Sequence, residues 1–314
     1  MIYSWEHSKR YNDFSTHIKS VYSERIQKVS IDAGFTCPNR DGSKGVGGCT
    51  FCNNNTFNPA YCVPTKSIAS QIDQGVAFFA PKYKTQKYLA YFQAYSNTYS
   101  EIVDLKQKYE EALAKPEVVG LVIGTRPDCV SEELLDYFAE LKNHTDLTIE
   151  YGVESTIDRT LELINRGHTY QESVDAILKT ANRGITVGGH LILGLPGESY
   201  GDILSHAGEI SKLPLNYLKL HQLQIVKGSQ LGRDYMSGKY TGKLFTLDEY
   251  INLVIDFLEL LSPKIIMERF ISQSPGDLLI APKWGVKNFE FVAKVERRLV
   301  ERDTYQGRLY VEAL

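Results

Sequence analysis

The stretch Cys37-Pro-Asn-Arg-Asp-Gly-Ser-Lys-Gly-Val-Gly-Gly-Cys49-Thr-Phe-Cys52 contains three cysteines, separated by eleven and then two residues, together with four glycines. Three thiolates on a flexible loop are an incomplete set for structural zinc, which takes four closed ligands. Thiolates also bind iron–sulfur clusters, and a [4Fe-4S] cluster held by three cysteines leaves one iron free for a further ligand. The stretch therefore predicts a catalytic iron–sulfur site.

A zinc site is the alternative interpretation of these cysteines. Nine residues separate Cys52 from Cys62, so Cys62 is within reach as a fourth ligand. The Cys-x2-Cys spacing occurs once, without the second pair that is typical of zinc sites, and this favours the cluster. We interpret Cys62 and Cys129 as small core residues or free thiols.

The end of the stretch, Cys49-Thr-Phe-Cys52, resembles the Cys-x-aromatic-Cys end of the cluster loop in the radical S-adenosylmethionine (SAM) enzymes. The long gap before Cys49 resembles the branch that contains the catalytic subunit of Elongator. Gly34-Phe-Thr-Cys37-Pro-Asn-Arg-Asp-Gly is similar to the bacterial YtqA/YhcC group, as are Arg269-Phe270 and residues 282–284 near the C-terminus. The resemblance implies a [4Fe-4S] cluster held by Cys37, Cys49 and Cys52, with SAM as cosubstrate.

The composition is that of an ordinary globular protein. The chain has 314 residues, of which 43% are hydrophobic and 23% charged, and this length suits one α/β domain or one domain with an appendage. No apolar run is long enough for a membrane span, and the first residues lack the features of a signal peptide. An odd number of cysteines argues against a disulfide framework. We therefore expect a cytoplasmic protein.

Apolar strand patterns alternate with helical patterns along the chain, which predicts a parallel sheet with right-handed crossovers. The predicted strands are 28–33, 88–95, 118–123, 147–153, 185–193 and 217–225. Six strands are too few for a closed eight-stranded barrel. The resemblance implies a partial (β/α)6 TIM-like barrel, the radical SAM core, with a lateral opening for large substrates.

The predicted barrel covers residues 1–262, including an N-terminal lead-in and the cluster loop at 34–62. Its last helix begins at a capping box formed by Thr246 and Glu249 and ends before Pro263. Residues 263–314 are predicted to form a small α+β appendage.

Polar residues at the strand ends are the candidates for holding SAM, because α/β barrels carry their chemistry there. After the second strand, relatives often have Gly-Gly-Glu, whereas this chain has Gln93-Ala-Tyr-Ser96-Asn97. The carboxylate is missing, so Gln93, Ser96 and Asn97 are the candidates at this strand.

The fourth and fifth strands supply the other candidates. Gly152-Val-Glu154-Ser155 and the following Asn165-Arg166-Gly167-His168 resemble family motifs that contact SAM. This implies cofactor-binding roles for Glu154, Ser155 and Arg166, and a surface ion pair is the alternative for Glu154 and Arg166. On the fifth strand, His190 aligns where some relatives carry an aspartate that faces the cosubstrate.

The resemblance implies that an external one-electron reductant, such as flavodoxin or ferredoxin, reduces the cluster. SAM is then cleaved to methionine and a 5′-deoxyadenosyl radical, which abstracts hydrogen from the substrate. The YtqA-type resemblance implies tRNA as substrate, at the C5 side chain of the wobble uridine. There a carboxymethylaminomethyl group becomes aminomethyl before a partner methyltransferase acts.

The charge distribution is compatible with a polyanionic substrate. Residues 1–87 carry 11 Lys and Arg against 6 Asp and Glu, whereas residues 88–262 carry 15 against 25. Solvated surface is the simpler explanation of the same counts.

Three alternative functions remain open at this point. One is Elongator-like carboxymethylation of uridine, which in Elongator is accompanied by an acetyltransferase-like domain. Another is radical chemistry on a small molecule or a protein. The third is a non-catalytic zinc- or RNA-binding module.

Overall fold

The structure, a computed structural model, describes residues 2–56, 58–82 and 86–312, with only the backbone described for Lys82. Seven parallel strands form one sheet that curls into a half-barrel with helices between the strands. In spatial order, which follows the chain, these strands are β1 (Ile26–Ile31), β2 (Lys87–Phe92), β3 (Val118–Thr125), β4 (Asp146–Glu154), β5 (Thr186–Leu193), β6 (Tyr217–Gln222) and β8 (Ile266–Arg269). A separate antiparallel pair consists of β7 (Ile225–Val226) and β9 (Leu279–Ala281).

Ten α-helices lie within the described residues. They are α1 (Phe14–Val21), α2 (Ile68–Phe79), α3 (Ile102–Leu113), α4 (Glu132–Leu141), α5 (Asp158–Leu163), α6 (Tyr170–Asn182), α7 (Tyr200–Ser211), α8 (Gln230–Met236), α9 (Leu247–Leu260) and α10 (Asn288–Glu301). The capping box predicted for α9 is confirmed, since Thr246 accepts from the Glu249 N–H and Glu249 accepts from the Thr246 N–H. None of these helices is long and apolar enough to cross a bilayer.

The prediction of a partial α/β barrel is confirmed, with one strand more than expected. The added strand, β8, lies in the segment assigned to the appendage, and it joins the sheet because Tyr217 of β6 pairs with Ile266. The sixth predicted strand ends early, at Gln222, and Ile225 turns away to pair with Ala281 of β9. The division of the chain at residue 262 stays a prediction.

The two faces of each strand carry different residues, because side chains alternate along a strand. In β4, Ile149, Tyr151 and Val153 are buried in the main hydrophobic core. The alternate residues, Glu150 and Gly152, therefore lie on the inner face of the half-barrel. The Glu150 carboxylate is thus directed into the half-barrel.

The N-terminal lead-in covers two parts of the barrel that would otherwise be exposed. Phe14 of α1 packs edge-on against Tyr217, with 5.2 Å between the ring centres, and the Tyr22 hydroxyl donates to Asp146 at 2.5 Å. The Met267 N–H of β8 donates to the Asn12 carbonyl at 2.8 Å. This contact covers the free edge of β8, where unpaired backbone groups would invite association.

The C-terminal segment packs on α9 and also contacts the N-terminal lead-in. Trp284 lies parallel to Phe291 of α10, with 6.2 Å between ring centres, and contacts Tyr250 of α9 at 5.1 Å. The Gln306 side chain donates to the carbonyls of Ser262 and Ile265, at 2.8 Å each. Its oxygen accepts from the Asn12 N–H at 2.9 Å.

The close approach of α2 to β1 gives a test of this packing. A Cβ at Gly75 would lie 2.3 Å from Val29 Cγ1 and 3.2 Å from the Tyr61 ring. Gly75→Ala should therefore lower the free energy of unfolding by about 1–3 kcal/mol, the usual cost of overpacking.

Gly208→Ala in α7 is the matched control, because nothing lies within 4 Å of its added Cβ. There alanine should stabilise by about 0.5–1 kcal/mol through helix propensity. Urea unfolding followed by circular dichroism measures both, and equal stabilities of the two variants would contradict the packing described.

Candidate active site

A cavity of about 170 Å³ lies at the carboxyl ends of the strands, between the cysteine loop and the inner face of the half-barrel. Most of the residues predicted to bind the cluster or SAM line it together. They are Cys37, Cys49, Cys52, Gln93, Ser96, Glu154, Arg166 and His190. Asn97 and Ser155 do not line it. The structure therefore brings into one place residues from the loop, from the ends of β2 and β4, from β5 and from the segment after α5.

Hydrogen bonds to the segment after α5 hold the cysteine loop in position. The Asn39 side chain donates to the Asn165 carbonyl at 2.5 Å, and the Asn165 side chain donates to the Gly48 carbonyl at 2.9 Å. The Thr50 N–H donates to the Ile164 carbonyl at 2.9 Å. These hydrogen bonds between protein groups thus help to position the loop.

Arg166 connects the loop to the barrel. Its guanidinium donates to Cys49 Sγ at 3.6 Å, to the Gly152 carbonyl at 2.5 Å and to His168 Nε2 at 2.9 Å. Glu154 Oε1 lies 3.4 Å from Nη2. Burial alone would lower the pKa of Arg166, but the charges of Cys49 and Glu154 outweigh it and raise the pKa. The ion pair with Glu154 is thus largely buried beside a cysteine rather than on the surface.

His168 fixes the orientation of Arg166. Burial and the neighbouring Arg166 charge lower the pKa of His168 to about 3, so the ring is neutral at physiological pH. Because Arg166 Nε can only donate, His168 Nε2 accepts. The ring proton then lies on Nδ1, which is 3.0 Å from the Thr169 carbonyl.

A second buried arginine lies behind the first and was missed by the sequence analysis. Arg126 donates to both carboxylate oxygens of Asp128, at 2.9 Å each, and to the Arg166 carbonyl at 2.7 Å. Burial alone would raise the pKa of Asp128, but the hydrogen bonds and charge of Arg126 lower it to about 2. Lys44 of the cysteine loop reaches the same carboxylate at 2.7 Å. The only signal in the sequence was an Arg-x-Asp directly after an apolar strand.

The cysteines have the chemistry of cluster ligands. Cys49 is buried, whereas Cys37 and Cys52 are partly exposed. Burial, with the charge of Cys49, raises the pKa of the Cys52 thiol to about 11 against the effect of Arg40, so binding a metal must displace a proton. Among the described residues, no three His, Cys, Asp or Glu side chains converge on a position for one metal ion. A cubane cluster makes a different demand, since each thiolate binds a separate iron. Three cysteines around one cavity, with arginines beside them, fit such a cluster.

The turn after β2 is strained at the rim of the cavity. Ala94 and Tyr95 both adopt left-handed backbone, with φ of 66° and 62°, and Glu154 does so at 68°. Non-glycine residues in this region cost energy and cluster at functional sites. Asn97 holds the turn, because its amide donates to the Ala94 and Gly124 carbonyls at 3.0 and 2.8 Å. At this position the family resemblance implies glycines, which adopt left-handed backbone without a steric cost.

The two predicted residues outside the cavity have other contacts. Asn97 braces the turn just described. The Ser155 hydroxyl donates to Glu198 at 2.6 Å, and Glu198 lies 3.2 Å from His206 in the interior. Roles for Asn97 and Ser155 in binding SAM stay predictions.

A cluster of charged residues lies around Glu150 on the inner side of the half-barrel, and the sequence analysis singled out only His190 of this group. Glu150 of β4 lies 2.9 Å from Lys28 of β1, 2.6 Å from Lys219 of β6 and 3.0 Å from His190 of β5. Burial alone would raise the pKa of Glu150, but the charges of Lys219 and Lys28 hold it well below its usual value. Glu268 of β8 contacts the same two lysines at 2.5 and 3.3 Å. The sequence signal that could have identified these residues is a charged side chain within an otherwise apolar strand.

Comparisons with known proteins agree with this geometry. The profile of the Radical SAM superfamily matches residues 37–210, and that of the Radical_SAM C-terminal domain matches residues 215–301. The chain is 35% identical to YtqA of Bacillus subtilis (strain 168), over 96% of this chain and 93% of that protein. It is 33% identical to YhcC of Escherichia coli (strain K12), over 93% of each.

Two further proteins are similar to this chain, one over part of a longer sequence and the other in its fold alone. The chain is 29% identical to the tRNA uridine(34) acetyltransferase of Methanocaldococcus infernus, over 52% of this chain and 30% of that protein. The fold is similar to that of the archaeal Methanocaldococcus infernus Elp3 with N-terminus deletion (1-46), with a TM-score of 0.65 at 17% identity, over 90% of this chain and 64% of that one. The resemblance found in the cysteine motif is thus confirmed, and the chain belongs to the radical SAM superfamily, in the group that includes YtqA and YhcC.

Proposed function

We propose that this protein reductively cleaves SAM at a [4Fe-4S] cluster and uses the chemistry to modify tRNA at the C5 side chain of the wobble uridine. The proposed conversion takes carboxymethylaminomethyl to aminomethyl: loss of a hydrogen atom and a further electron from the carboxymethyl CH2, followed by addition of water, would release the two-carbon unit as glyoxylate and leave the amine, with SAM as the two-electron oxidant that ends as methionine and 5′-deoxyadenosine. The observation that carries the first part is the convergence of Cys37, Cys49 and Cys52 on one cavity at the carboxyl ends of the strands. Partial similarity to a tRNA uridine(34) acetyltransferase supports the second part.

In this proposal the three cysteines hold the cluster. When bound, the cluster and SAM supply one-electron reductive cleavage and, with it, abstraction of hydrogen from an unactivated C–H bond, at the expense of an external reductant such as flavodoxin or ferredoxin. Arg166 donates to Cys49 Sγ at 3.6 Å, which places a positive charge beside that sulfur. Arg40 donates to the Cys52 carbonyl at 3.1 Å, and its charge opposes protonation of the same cysteine.

The SAM-binding residues that we propose are the polar groups on the cavity wall. Gln93, Ser96, Glu154 and His190 line the cavity together with the cysteines. The Glu154 carboxylate has acceptor capacity beyond its ion pair with Arg166, and a ligand ammonium is a suitable donor for it. Asn97 and Ser155 lie behind this wall.

A wobble base reaches a cavity of this kind only if it leaves the stack of the anticodon loop. Tyr95 lies at the rim with 39% of its surface exposed, and an aromatic ring in this position suits stacking on an extruded base. The left-handed backbone at Ala94 and Tyr95 holds the ring there. A methyltransferase acting on the aminomethyl product would be the next enzyme in the sequence of reactions.

The ligand assignment is tested by single cysteine variants. We expect Cys37→Ala, Cys49→Ala and Cys52→Ala each to abolish iron–sulfur absorption and SAM cleavage, because each removes one of three ligands. Cys62→Ala is the matched control, since Cys62 is buried outside this cavity and burial raises the pKa of its thiol to about 12. Iron content, visible absorption and 5′-deoxyadenosine release are measured on anaerobically purified protein. Colourless wild-type protein containing zinc would instead support the zinc-binding module.

The substrate is tested by mass spectrometry of tRNA nucleosides from a strain that lacks the gene. We expect the carboxymethylaminomethyl nucleoside to accumulate and the aminomethyl form and its methylated product to disappear. A gene copy with Cys62→Ala should restore the wild-type profile, and a copy with Cys49→Ala should not. Loss of the carboxymethyl group itself would point to Elongator-like chemistry, and an unchanged wobble-uridine profile would exclude this tRNA position as the substrate.

A further inference from the structure

A register shift between β6 and β8 directs an additional charged side chain into the barrel. Leu218 is opposite Met267, whereas Lys219 is opposite Arg269, so that Glu268 is an extra residue in β8. Irregularities of this kind re-aim side chains and are frequent beside active sites. Here two consecutive residues lie on the inner side, since Glu268 contacts Lys28 and Lys219 while Arg269 lines the cavity.

Arg269 differs from the other arginines that line the cavity. Arg40, Arg126 and Arg166 all donate to protein groups. For Arg269, no hydrogen bond or ion pair is formed with any residue that the structure describes, and its side chain is exposed to the cavity. A guanidinium in that situation is available to a ligand, and its planar fork matches a carboxylate or a phosphate.

His221 supplies a second polar group without a partner at the same place. Its Nε2 is buried and has no hydrogen-bond partner within the described part of the chain, although the ring lines the cavity. Burial, with the charges of His190 and Arg269, lowers the pKa of His221 well below its usual value, so the ring is neutral. A neutral ring nitrogen can donate a hydrogen bond to an anion or accept one. Buried polar groups of a native protein normally have partners, so this one points to a ligand.

The charges of the cluster around Glu150, taken with Arg269, favour an anion. The cations are Lys28, Lys219 and Arg269, and the carboxylates are Glu150 and Glu268. Each carboxylate contacts both lysines, so two negative charges balance two positive charges. If the histidines are not counted, the charge of Arg269 has no balancing carboxylate. An uncompensated charge at a partly enclosed site attracts an oppositely charged group of a ligand.

We propose that Arg269, with His221 beside it, binds a carboxylate of the substrate. The inference rests on the proposed function, in which the substrate side chain ends in a carboxylate and the aminomethyl product has none. Binding this group would anchor the end of the side chain against β8 and would orient its C–H bonds. It would also let the site distinguish substrate from product, because a site built for a charged group rejects an analogue that lacks it.

The test compares anticodon stem–loop RNAs that differ only in the C5 group of the wobble uridine: carboxymethylaminomethyl, aminomethyl or hydrogen. Their Kd values are measured by fluorescence anisotropy on cluster-loaded protein with SAM and without reductant. We expect the wild type to bind the carboxylate-bearing RNA at least about tenfold more tightly than the other two, since hydrogen bonds to charged groups contribute about 1.5–3 kcal/mol. Arg269→Gln should remove this preference, and Arg269→Lys should keep part of it. Arg297→Gln, at an exposed arginine of α10 that pairs with Glu301 at 3.4 Å, is the control and should keep all of it.

Other outcomes separate the inference from the proposed function. Equal weakening of all three RNAs by Arg269→Gln would assign the residue to a backbone phosphate and overturn the inference. Weaker SAM binding by that variant, with the RNA preference intact, would overturn it as well, as would a wild type that binds all three RNAs equally. If the wild type with reductant converts the carboxymethylaminomethyl RNA in any of these cases, the proposed function stands without the inference. If it fails to convert that RNA although SAM is cleaved, the proposed function itself is wrong.

Discussion

One buried carboxylate, that of Glu150, connects the strands of an open barrel. Within the described residues β1 and β8 are not paired with each other, yet Lys28 of β1 reaches both Glu150 of β4 and Glu268 of β8. Lys219 of β6 makes the same two contacts. Burying an ion costs several kcal/mol unless its partners are well placed. The strands must therefore keep the curvature at which these charges meet, and the same curvature shapes the cavity above them.

Local patterns in the sequence were sufficient for most of the fold. Each inner strand has an apolar outer face that packs on helices, and the capping box at Thr246 and Glu249 marks the start of α9. The prediction from local patterns left β8 out of the barrel sheet for a physical reason. Its apolar pattern predicts a strand, but whether Ile266 pairs with Tyr217 depends on residues about fifty positions away, and Pro263 suggested a boundary instead. Strand partners are a tertiary property, which local periodicity does not contain.

For the candidate site as well, local sequence patterns predicted some of the residues, whereas the contacts between them are tertiary. Most of the residues that the cysteine spacing and the polar strand ends predicted do line the cavity, because loops and strand ends of an α/β barrel meet at one side. The contacts that organise these residues could not be predicted. Arg126 contacts the carbonyl of Arg166, and Ser155 contacts Glu198, across 40 and 43 positions of the chain. A charged or polar residue in an apolar strand shows which face it occupies but does not identify its partner.

The cysteine loop is held in place by contacts between protein groups, which distinguishes it from the metal-binding loops of small zinc domains. Lys44 is bound to Asp128, Asn39 to Asn165 and Asn165 to Gly48, and none of these bonds involves a metal. Small zinc domains differ, because they obtain their folding free energy from the ion and unfold without it. In this chain the loop is also held by contacts between protein groups, so its position does not depend on bonds from cysteine to metal alone.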